Sequence, residues 1–457
     1  MSGGSWEDRV IKRKFNAFGR RSTSVLVILL FCAVIATGAP RVSIDIPPGL
    51  TFYQSPYYDV YSDLEPERVQ EAVLRMTRMA EEYHDRTKEF SGVIRTKFPF
   101  YLFQEANDYY AAGGPPGSGG VFMVRDGSAR LMSIAGAKNT GFTWHVVQHE
   151  GFHQFAHAVI GGELPVWLNE GLAEYFGEGL YTGDGMVTGV IPPSRCKRIQ
   201  EEIKGKHFKS IKTMMLLSHE AWNMNMSILN YDMAWSMTHF LAHGDNGKYQ
   251  GAFSQFVRDI GRNRTWDKAW EANFGSAEGF EKKWQDWWLA QDPMVTKDLY
   301  VKATVATMSS FLGRAISQKQ TFDNMDEFVK NAKDGTLKIP KGDDWLPASL
   351  LTTMVELKEK VGTDIKYELG KDAKTPQVIA TMPDSMRMVA VYNGAVKAGP
   401  GRVVVTIDDL APKMAQAKAL LAEKKKDQAR AVLQESLKRN PKSPLALEAR
   451  KLLQQML

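Results

Sequence analysis

The chain has 457 residues, of which 44% are hydrophobic and 24% charged, so it is long enough for roughly two to four domains and too apolar to be disordered. Its net charge of +6 is uneven, because residues 1–38 contribute +4 and residues 411–457 contribute +7, which leaves the rest net acidic. No nucleic-acid-binding motif accompanies the basic excess, so we expect no DNA or RNA partner.

The N-terminus has the three parts of an export signal. Basic residues within positions 9–21 precede an apolar run, Val25–Ala36, and small residues at 36–38 suit a cleavage site. The run is shorter than the roughly 20 residues of a spanning helix. We therefore predict a cleaved signal peptide at residues 1–38, with a retained membrane tether through residues 25–40 as the alternative. Both predict an exported protein that is periplasmic, in the cell envelope or secreted.

The segment after the export signal alternates between strand and helix patterns. Tyr57–Tyr61 and Phe98–Phe103 are rich in the aromatic residues typical of strands, and Pro66–Phe90 has the apolar spacing of an amphipathic helix. Apolar runs that meet at Asp126-Gly127 predict a hairpin over Val121–Ile134. These patterns predict an α/β subdomain.

His149-Glu150-Gly151-Phe152-His153 has the spacing of a metal-binding helix. Residues four apart lie on one helix face, so His149 and His153 can direct imidazole nitrogens at one ion. Glu150 is rotated about 100° from His149 and suits a carboxylate that accepts a proton from water beside the metal. A catalytic zinc takes a third protein ligand, and Glu170 lies close enough downstream for a second helix to supply it. The sequence thus predicts a site for one zinc ion.

The segment Pro165–Phe176, which reads PVWLNEGLAEYF, strengthens this prediction. Together with the histidine motif it resembles the gluzincin clan of zinc metallopeptidases and, within that clan, the peptidase MA-like families. The resemblance implies an α+β chain with a thermolysin-like catalytic domain, in which a mixed sheet packs against active-site helices. It also implies His149, His153 and Glu170 as metal ligands and Glu150 as general base.

Two further roles follow from the resemblance. In the aminopeptidase branch of the clan, a tyrosine about sixty residues after the glutamate ligand stabilises the oxyanion, and Tyr231 falls at that position. A buried structural tyrosine is the alternative. Glu174, one helical turn beyond Glu170, has the offset of a carboxylate that orients a ligand histidine. The alternatives for Glu174 are a solvated helix carboxylate and an exchange of roles with Glu170.

Four other histidines repeat the four-residue spacing. His145 and His157 each lie a full turn, about 5.4 Å, from a predicted ligand, and a tetrahedral ion reaches only two residues of such a row. We predict that both are structural or line the cleft. His239 and His243 receive the same interpretation.

The resemblance implies a peptide or protein substrate whose backbone pairs with a strand edge ahead of the metal helix. Gly120–Met123 and Leu131–Ser133 are the two candidate segments, and an ordinary hairpin is the alternative. The Gly-x-Met-x-Asn segment with which the aminopeptidase branch binds a free amine has no match in residues 100–145. This favours endopeptidase over aminopeptidase action without deciding between endopeptidase and exopeptidase.

The remaining boundaries follow from composition. A Trp-rich helical region closes the predicted catalytic domain at 46–295. Residues 298–408 combine helical patterns with short β-type runs from Lys366 to Asp408 and predict a small α/β accessory module. Residues 411–457 predict a helical hairpin that docks on its neighbour or on a protein partner, since they fit half of a tetratricopeptide-like pattern at Ala429, Leu433 and Pro441.

The expected function is therefore that of an exported zinc-dependent peptidase. A catalytically weak or inactive peptidase-fold protein, which recruits partners through its C-terminal modules, is the alternative. The presence of Glu150 counts against it, since an inactive relative would be free to lose that residue. A structural protein of the cell envelope is a third class and would need no metal.

Overall fold

The computed structural model describes residues 48–456 apart from residues 126, 137–140, 162, 225–226, 373–374, 398 and 442. The predicted signal or tether in residues 1–38 and 25–40 lies outside the described residues. Among the described helices, none is both long and apolar enough to span a bilayer.

The chain is α+β, as the sequence predicts. Its first sheet is formed by β1 (Thr51–Gln54), β2 (Tyr58–Ser62), β3 (Phe98–Phe103), β4 (Gly120–Arg125) and β5 (Ser128–Ile134). Helices α1 (Pro66–Thr87) and α2 (Ala106–Ala111) connect strands of this sheet. A short hairpin follows later, formed by β6 (Leu180–Tyr181) and β7 (Met186–Val187). The other helices of this part are α3 (Gly141–Val159), α4 (Val166–Gly177), α5 (Pro193–Gly205), α6 (Ile211–Met215), α7 (His219–Met224), α8 (Ile228–Gly247), α9 (Gln250–Gly261), α10 (Trp266–Phe274) and α11 (Ala277–Leu289).

The first sheet is mixed, with the strand order β1-β2-β3-β5-β4. Strand β3 runs parallel to both β2 and β5, whereas β1 and β4 are antiparallel to their neighbours. The predicted hairpin is confirmed as β4 and β5, with Arg125 opposite Ser128. Strand β5 therefore has neighbours on both sides, and β4 forms an edge of the sheet.

Helices α1 and α3 pack on one face of this sheet. Helix α1 begins with Pro66 at its first position, where a missing N–H costs no hydrogen bond. Its apolar residues recur every three or four positions and are buried, namely Val69, Ala72, Met76, Met79, Ala80 and Tyr83. The phenol of Tyr83 donates a hydrogen bond to the carbonyl of Gln148 within α3. The core thus anchors α3 along its buried side and leaves the other side for the site.

Helix α4 lies between α3 and α8, and Gly171 explains how closely α4 and α8 approach. A Cβ atom at Gly171 would lie 2.3 Å from both the carbonyl oxygen of Ala234 and the hydroxyl of Thr238. Only glycine therefore fits at this crossing. Packing against α8 thus accounts for Gly171, the glycine of the Asn-Glu-Gly segment. The same packing fixes the position of Glu170, the residue before it.

The accessory module has a second sheet and its own core. Its elements are α12 (Lys297–Ser317), α13 (Met325–Lys333), α14 (Ala348–Val361), β8 (Lys366–Leu369), β9 (Gln377–Thr381), β10 (Arg387–Tyr392) and β11 (Val403–Asp408). The sheet is antiparallel, in the order β11-β10-β9-β8, and α12 packs against it. Tyr181 and Val187 of the β6–β7 hairpin join this core. A buried bidentate ion pair between Arg314 and Asp184, with N–O distances of 2.8 Å, also joins the hairpin to α12.

The described part of the C-terminal tail contains a third helix, so the prediction of a hairpin was incomplete. Helices α15 (Leu410–Ala422) and α16 (Lys426–Arg439) form the expected pair, and α17 (Ala446–Gln454) packs against both. Their apolar faces share a small core that includes Ala429 and Leu433. The third helix forms because Ala446 and Ala449 have a face to bury against the first two.

The packing at Gly171 makes a stability prediction. Gly171→Ala places a methyl group against the backbone of α8, so we expect a loss of about 1–3 kcal/mol of unfolding free energy. Gly251→Ala is the matched control, because Gly251 is also helical but a Cβ atom there would enter open space. The control is expected to be neutral or slightly stabilising. Thermal unfolding of both variants checks this, and equal melting temperatures would contradict the packing argument.

Candidate metal centre

Three helices supply the side chains of the site. Helix α3 carries His149, Glu150 and His153, α4 carries Glu170 and Glu174, and α8 carries Tyr231. Helix α4 starts directly after Pro165, which has extended backbone angles. A proline disfavours helical geometry in the residue before it, so the helix does not extend further towards the N-terminus. Trp167 and Leu168 in its first turn are fully buried. Their burial sets the rotation of α4, so that Glu170 faces α3.

The predicted ligands lie together. The Nε2 atoms of His149 and His153 are 3.2 Å apart. One carboxylate oxygen of Glu170 lies 3.3 Å from Nε2 of His149 and 3.6 Å from Nε2 of His153. All three donor atoms are thus within reach of one ion.

These separations fit a tetrahedral ion. Zinc bonds to nitrogen and carboxylate oxygen are about 2.0–2.2 Å long, so adjacent ligand atoms around a tetrahedral zinc lie about 3.3 Å apart. Two imidazoles and one carboxylate are also the donor set of a catalytic zinc that keeps one position open. The residues present therefore fit a single divalent ion held by His149, His153 and Glu170.

Glu174 contacts the far side of the first histidine. Its carboxylate oxygen lies 3.0 Å from Nδ1 of His149, while Nε2 of that ring faces Glu170. A carboxylate at Nδ1 holds the proton there and leaves the Nε2 lone pair for a metal. The side chain of Glu174 is 9% exposed, which excludes a solvated helix carboxylate. Since Glu170 rather than Glu174 lies near both Nε2 atoms, the geometry favours Glu170 as the third donor over an exchange of roles.

The buried charges shift one another's pKa. Burial alone would lower the pKa of His149, but hydrogen bonds with Glu170 and Glu174 raise it well above its ordinary value. Burial alone would raise the pKa of Glu170, but the charge of His153 and the hydrogen bonds from both imidazoles lower it. The same kind of contact lowers the pKa of Glu174. Both carboxylates stay ionised, which favours a cation at the centre.

Glu150 points away from the three donors and towards the edge of the sheet. Its carboxylate accepts a hydrogen bond of 2.8 Å from the backbone N–H of Phe122 in β4. The base predicted from sequence is therefore bonded to an edge strand of the sheet. This contact had no sequence signal, since Phe122 and Glu150 are 28 residues apart.

Tyr231 lies beside the first histidine. The centroids of the Tyr231 and His149 rings are 6.2 Å apart, and the Trp222 ring packs edge-on against Tyr231 at 5.2 Å. Burial, followed by the negative charge of Glu170, raises the pKa of the Tyr231 phenol to about 12. The phenol consequently keeps its proton at neutral pH and can donate a hydrogen bond.

His157, His239 and His243, which repeat the four-residue spacing, do not belong to the cluster of His149, His153 and Glu170. His157 is exposed, and its ring contacts Phe122. His239 is buried and His243 is half-buried, and His239 lies 3.0 Å from the carbonyl of Gly189 whereas His243 lies 3.0 Å from the hydroxyl of Tyr175. Burial lowers the pKa of His239 to about 4 and that of His243 well below its ordinary value. Both are therefore neutral imidazoles of the core.

A second triad, His145, His149 and Glu174, also has donor atoms within 4.8 Å of one another. However, Arg195 lies 2.5 Å from a carboxylate oxygen of Glu174. A fixed guanidinium beside the same carboxylate disfavours a cation there by like-charge repulsion. The triad with Glu170 is therefore the better metal centre.

Sequence reasoning missed the residues behind Glu174. Arg195 contacts Glu174 from α5, and Asp232 contacts Arg195 from α8. Arg195 lies in an ordinary basic stretch with Lys197 and Arg198, and no pattern in the sequence separates it from surface charge. Asp232 had one weak signal, its position next to the predicted Tyr231.

Substitution of one predicted ligand, followed by a measurement of zinc affinity, tests the candidate metal centre. We expect wild type to bind one zinc ion and His153→Ala to bind it at least about 100-fold more weakly, since loss of a group that merely orients a ligand already costs about 10–100-fold. His157→Ala, which removes the next histidine of the row, is expected to bind zinc as wild type does. Competition against a chromogenic chelator measures all three affinities. Equal affinities for the two variants would rule out the proposed donor set.

Residues 144–263 match the model of a family described as "Protein of unknown function (DUF1570)". No curated protein matches the chain. The family match begins in α3 and ends after α9, and so includes every residue of the candidate centre. Its description names no activity, and the chemistry of the site must be argued from the residues.

Proposed function

We propose that this chain is an exported zinc-dependent endopeptidase of the gluzincin type, related to the peptidase MA-like families. The observation that carries the proposal is the convergence of His149, His153 and Glu170 on one point, with Glu150 next to His149 in the sequence of α3. The export signal predicted at residues 1–38 is the reason for proposing that the reaction takes place outside the cytoplasmic membrane.

A zinc ion held by the three donors would act as a Lewis acid that polarises the scissile carbonyl and lowers the pKa of water. In the proposed mechanism, Glu150 accepts a proton from the attacking water and later gives a proton to the leaving amine. The carboxylate suits this work because it lies on α3 next to His149 but is not among the three convergent donors. Its hydrogen bond from Phe122 orients it towards the edge of the sheet.

Tyr231 is proposed to stabilise the oxyanion of the tetrahedral intermediate. The elevated pKa of its phenol keeps the proton in place, which a hydrogen-bond donor requires. Its position beside His149 puts it on the α8 side of the centre, whereas Glu150 faces β4. The base and the oxyanion donor thus approach the centre from different sides.

Strand β4 is proposed to hold the substrate backbone. Gly119 accepts a hydrogen bond from Ile134, and the register then directs the backbone groups of Gly120, Phe122 and Val124 away from β5. Strand β5 is interior, so of the two candidate segments only Gly120–Met123 lies at an edge of the sheet, where the N–H of Phe122 is bonded to Glu150. Glycine at position 120 leaves room for Val146, since a Cβ would lie 2.5 Å from its methyl group.

The same edge favours endopeptidase over exopeptidase action. Backbone groups that face away from β5 lie at Gly120 and Val124 as well as at Phe122. Each of the two is about 7 Å from Phe122 at the usual rise of a strand. Because Phe122 marks the position of Glu150, the edge can pair with substrate residues on both sides of the scissile bond. An extended peptide can pass through such a site without a free terminus.

Cleavage of a mixed library of peptides blocked at both termini tests the proposal. We expect the purified full-length chain to cut internal bonds and Glu150→Gln to cut them about 10²–10⁴-fold more slowly, with one zinc still bound. Because the variant keeps all three ligands, its metal content is the internal control. Normal turnover by Glu150→Gln would refute the mechanism. Zinc binding without cleavage by either protein would favour the inactive, partner-recruiting alternative.

A further inference from the structure

Arg195 sits at the centre of a buried charge cluster behind the metal centre. Its guanidinium lies 2.5 Å from Glu174, 2.9 Å from Glu178 and 2.7 Å from Asp232. The ring of Trp235 covers the guanidinium at 4.8 Å. The side chains of Arg195, Glu174 and Asp232 are 7%, 9% and 2% exposed, respectively. The cluster is therefore largely removed from water, where charge-assisted hydrogen bonds are strong and specific.

The partners of Arg195 belong to two different arms of the site. Glu174 holds Nδ1 of His149 at 3.0 Å, so one arm ends at a proposed metal ligand. Asp232 directly follows Tyr231 in α8, so the other arm ends on the helix that carries the proposed oxyanion donor. The ring of Tyr231 packs edge-on beside that of His149, with centroids 6.2 Å apart. Arg195 thus closes a continuous loop of contacts through α3, α4, α5 and α8.

We propose that Arg195 is a positioning residue that holds the His149 ligand through Glu174 and ties α8, the helix of Tyr231, to the same point through Asp232. This inference rests on the proposed zinc site. A guanidinium is required because it presents several donors in one plane and can bind two carboxylates at once, which a single ammonium group cannot do with the same geometry. Without it, the buried carboxylate of Glu174 would lose its guanidinium partner.

Arg198 provides the matched control. It binds the same carboxylate of Asp232, with N–O distances of 2.6 and 3.1 Å, and its side chain is 38% exposed. No contact with Glu174 is among the described interactions of Arg198. Substitution of Arg198 therefore removes one cation from Asp232 and leaves the Glu174 arm in place.

Zinc affinity of the full-length chain, measured by chelator competition, tests the proposal without any use of peptidase activity. We expect Arg195→Met to bind zinc about 10–100-fold more weakly than wild type, the cost typical of losing a group that supports a metal ligand. Arg198→Met is expected to stay within about twofold. Wild-type affinity in Arg195→Met would overturn the proposal. Failure of the wild type itself to bind zinc would refute the proposed function, which is a separate result.

A double substitution shows whether Arg195 acts through Glu174. Glu174→Gln alone is expected to weaken zinc binding by a factor similar to that of Arg195→Met. If Arg195 acts through Glu174, adding Arg195→Met to that variant lowers the affinity by less than about threefold further. If the double variant bound zinc more weakly by the product of the two separate factors, Arg195 would act by another route. That result would contradict the proposal.

A conservative pair keeps the test valid if Arg195→Met does not fold. Arg195→Lys retains the charge but not the two-sided geometry, so we expect a loss of zinc affinity of about threefold or more. Arg198→Lys is expected to show none. Circular dichroism and melting temperature establish that both fold. Equal zinc affinities in the two lysine variants would overturn the proposal.

Discussion

The contact of α4 with α3 on one side and α8 on the other determines the whole candidate site. Glu170 and Glu174 reach the histidines from α4, while Tyr231 approaches from α8, so a shift of α4 would separate all of them. Gly171 permits this contact, because any larger residue would meet the backbone of α8 at 2.3 Å. The Asn-Glu-Gly segment therefore combines a proposed ligand with the packing residue that places it.

Charge is the second determinant of the site. Glu170 and Glu174 are buried but ionised, and each is compensated by a neighbouring positive or hydrogen-bonding group. Glu174 lies between an imidazole and the guanidinium of Arg195, at 3.0 and 2.5 Å. Since breaking a buried pair leaves an uncompensated charge, the cluster resists rearrangement. This rigidity suits a metal centre, where small displacements of a ligand change the chemistry.

Much of the fold and of the site could be predicted from sequence because the signals are local. The spacing of His149 and His153 is a property of one helix, and the β4–β5 hairpin follows from two apolar runs and a turn. The free edge of β4 could not be predicted, because strand order depends on how β5 inserts next to β3. The tail was predicted as two helices because the tetratricopeptide-like pattern ends at Pro441 and α17 is only nine residues long. Arg195 was missed because its role depends on partners 21 and 37 residues away.

Direct observation of the bound ion tests the central claim of one metal held by two histidines and Glu170. Crystals of the zinc-loaded chain, with diffraction measured on both sides of the zinc absorption edge, would give the position of the ion from its anomalous signal. We expect one peak about 2.0–2.2 Å from Nε2 of His149, Nε2 of His153 and a carboxylate oxygen of Glu170. A peak between His145 and Glu174, or no peak at either position, would contradict it.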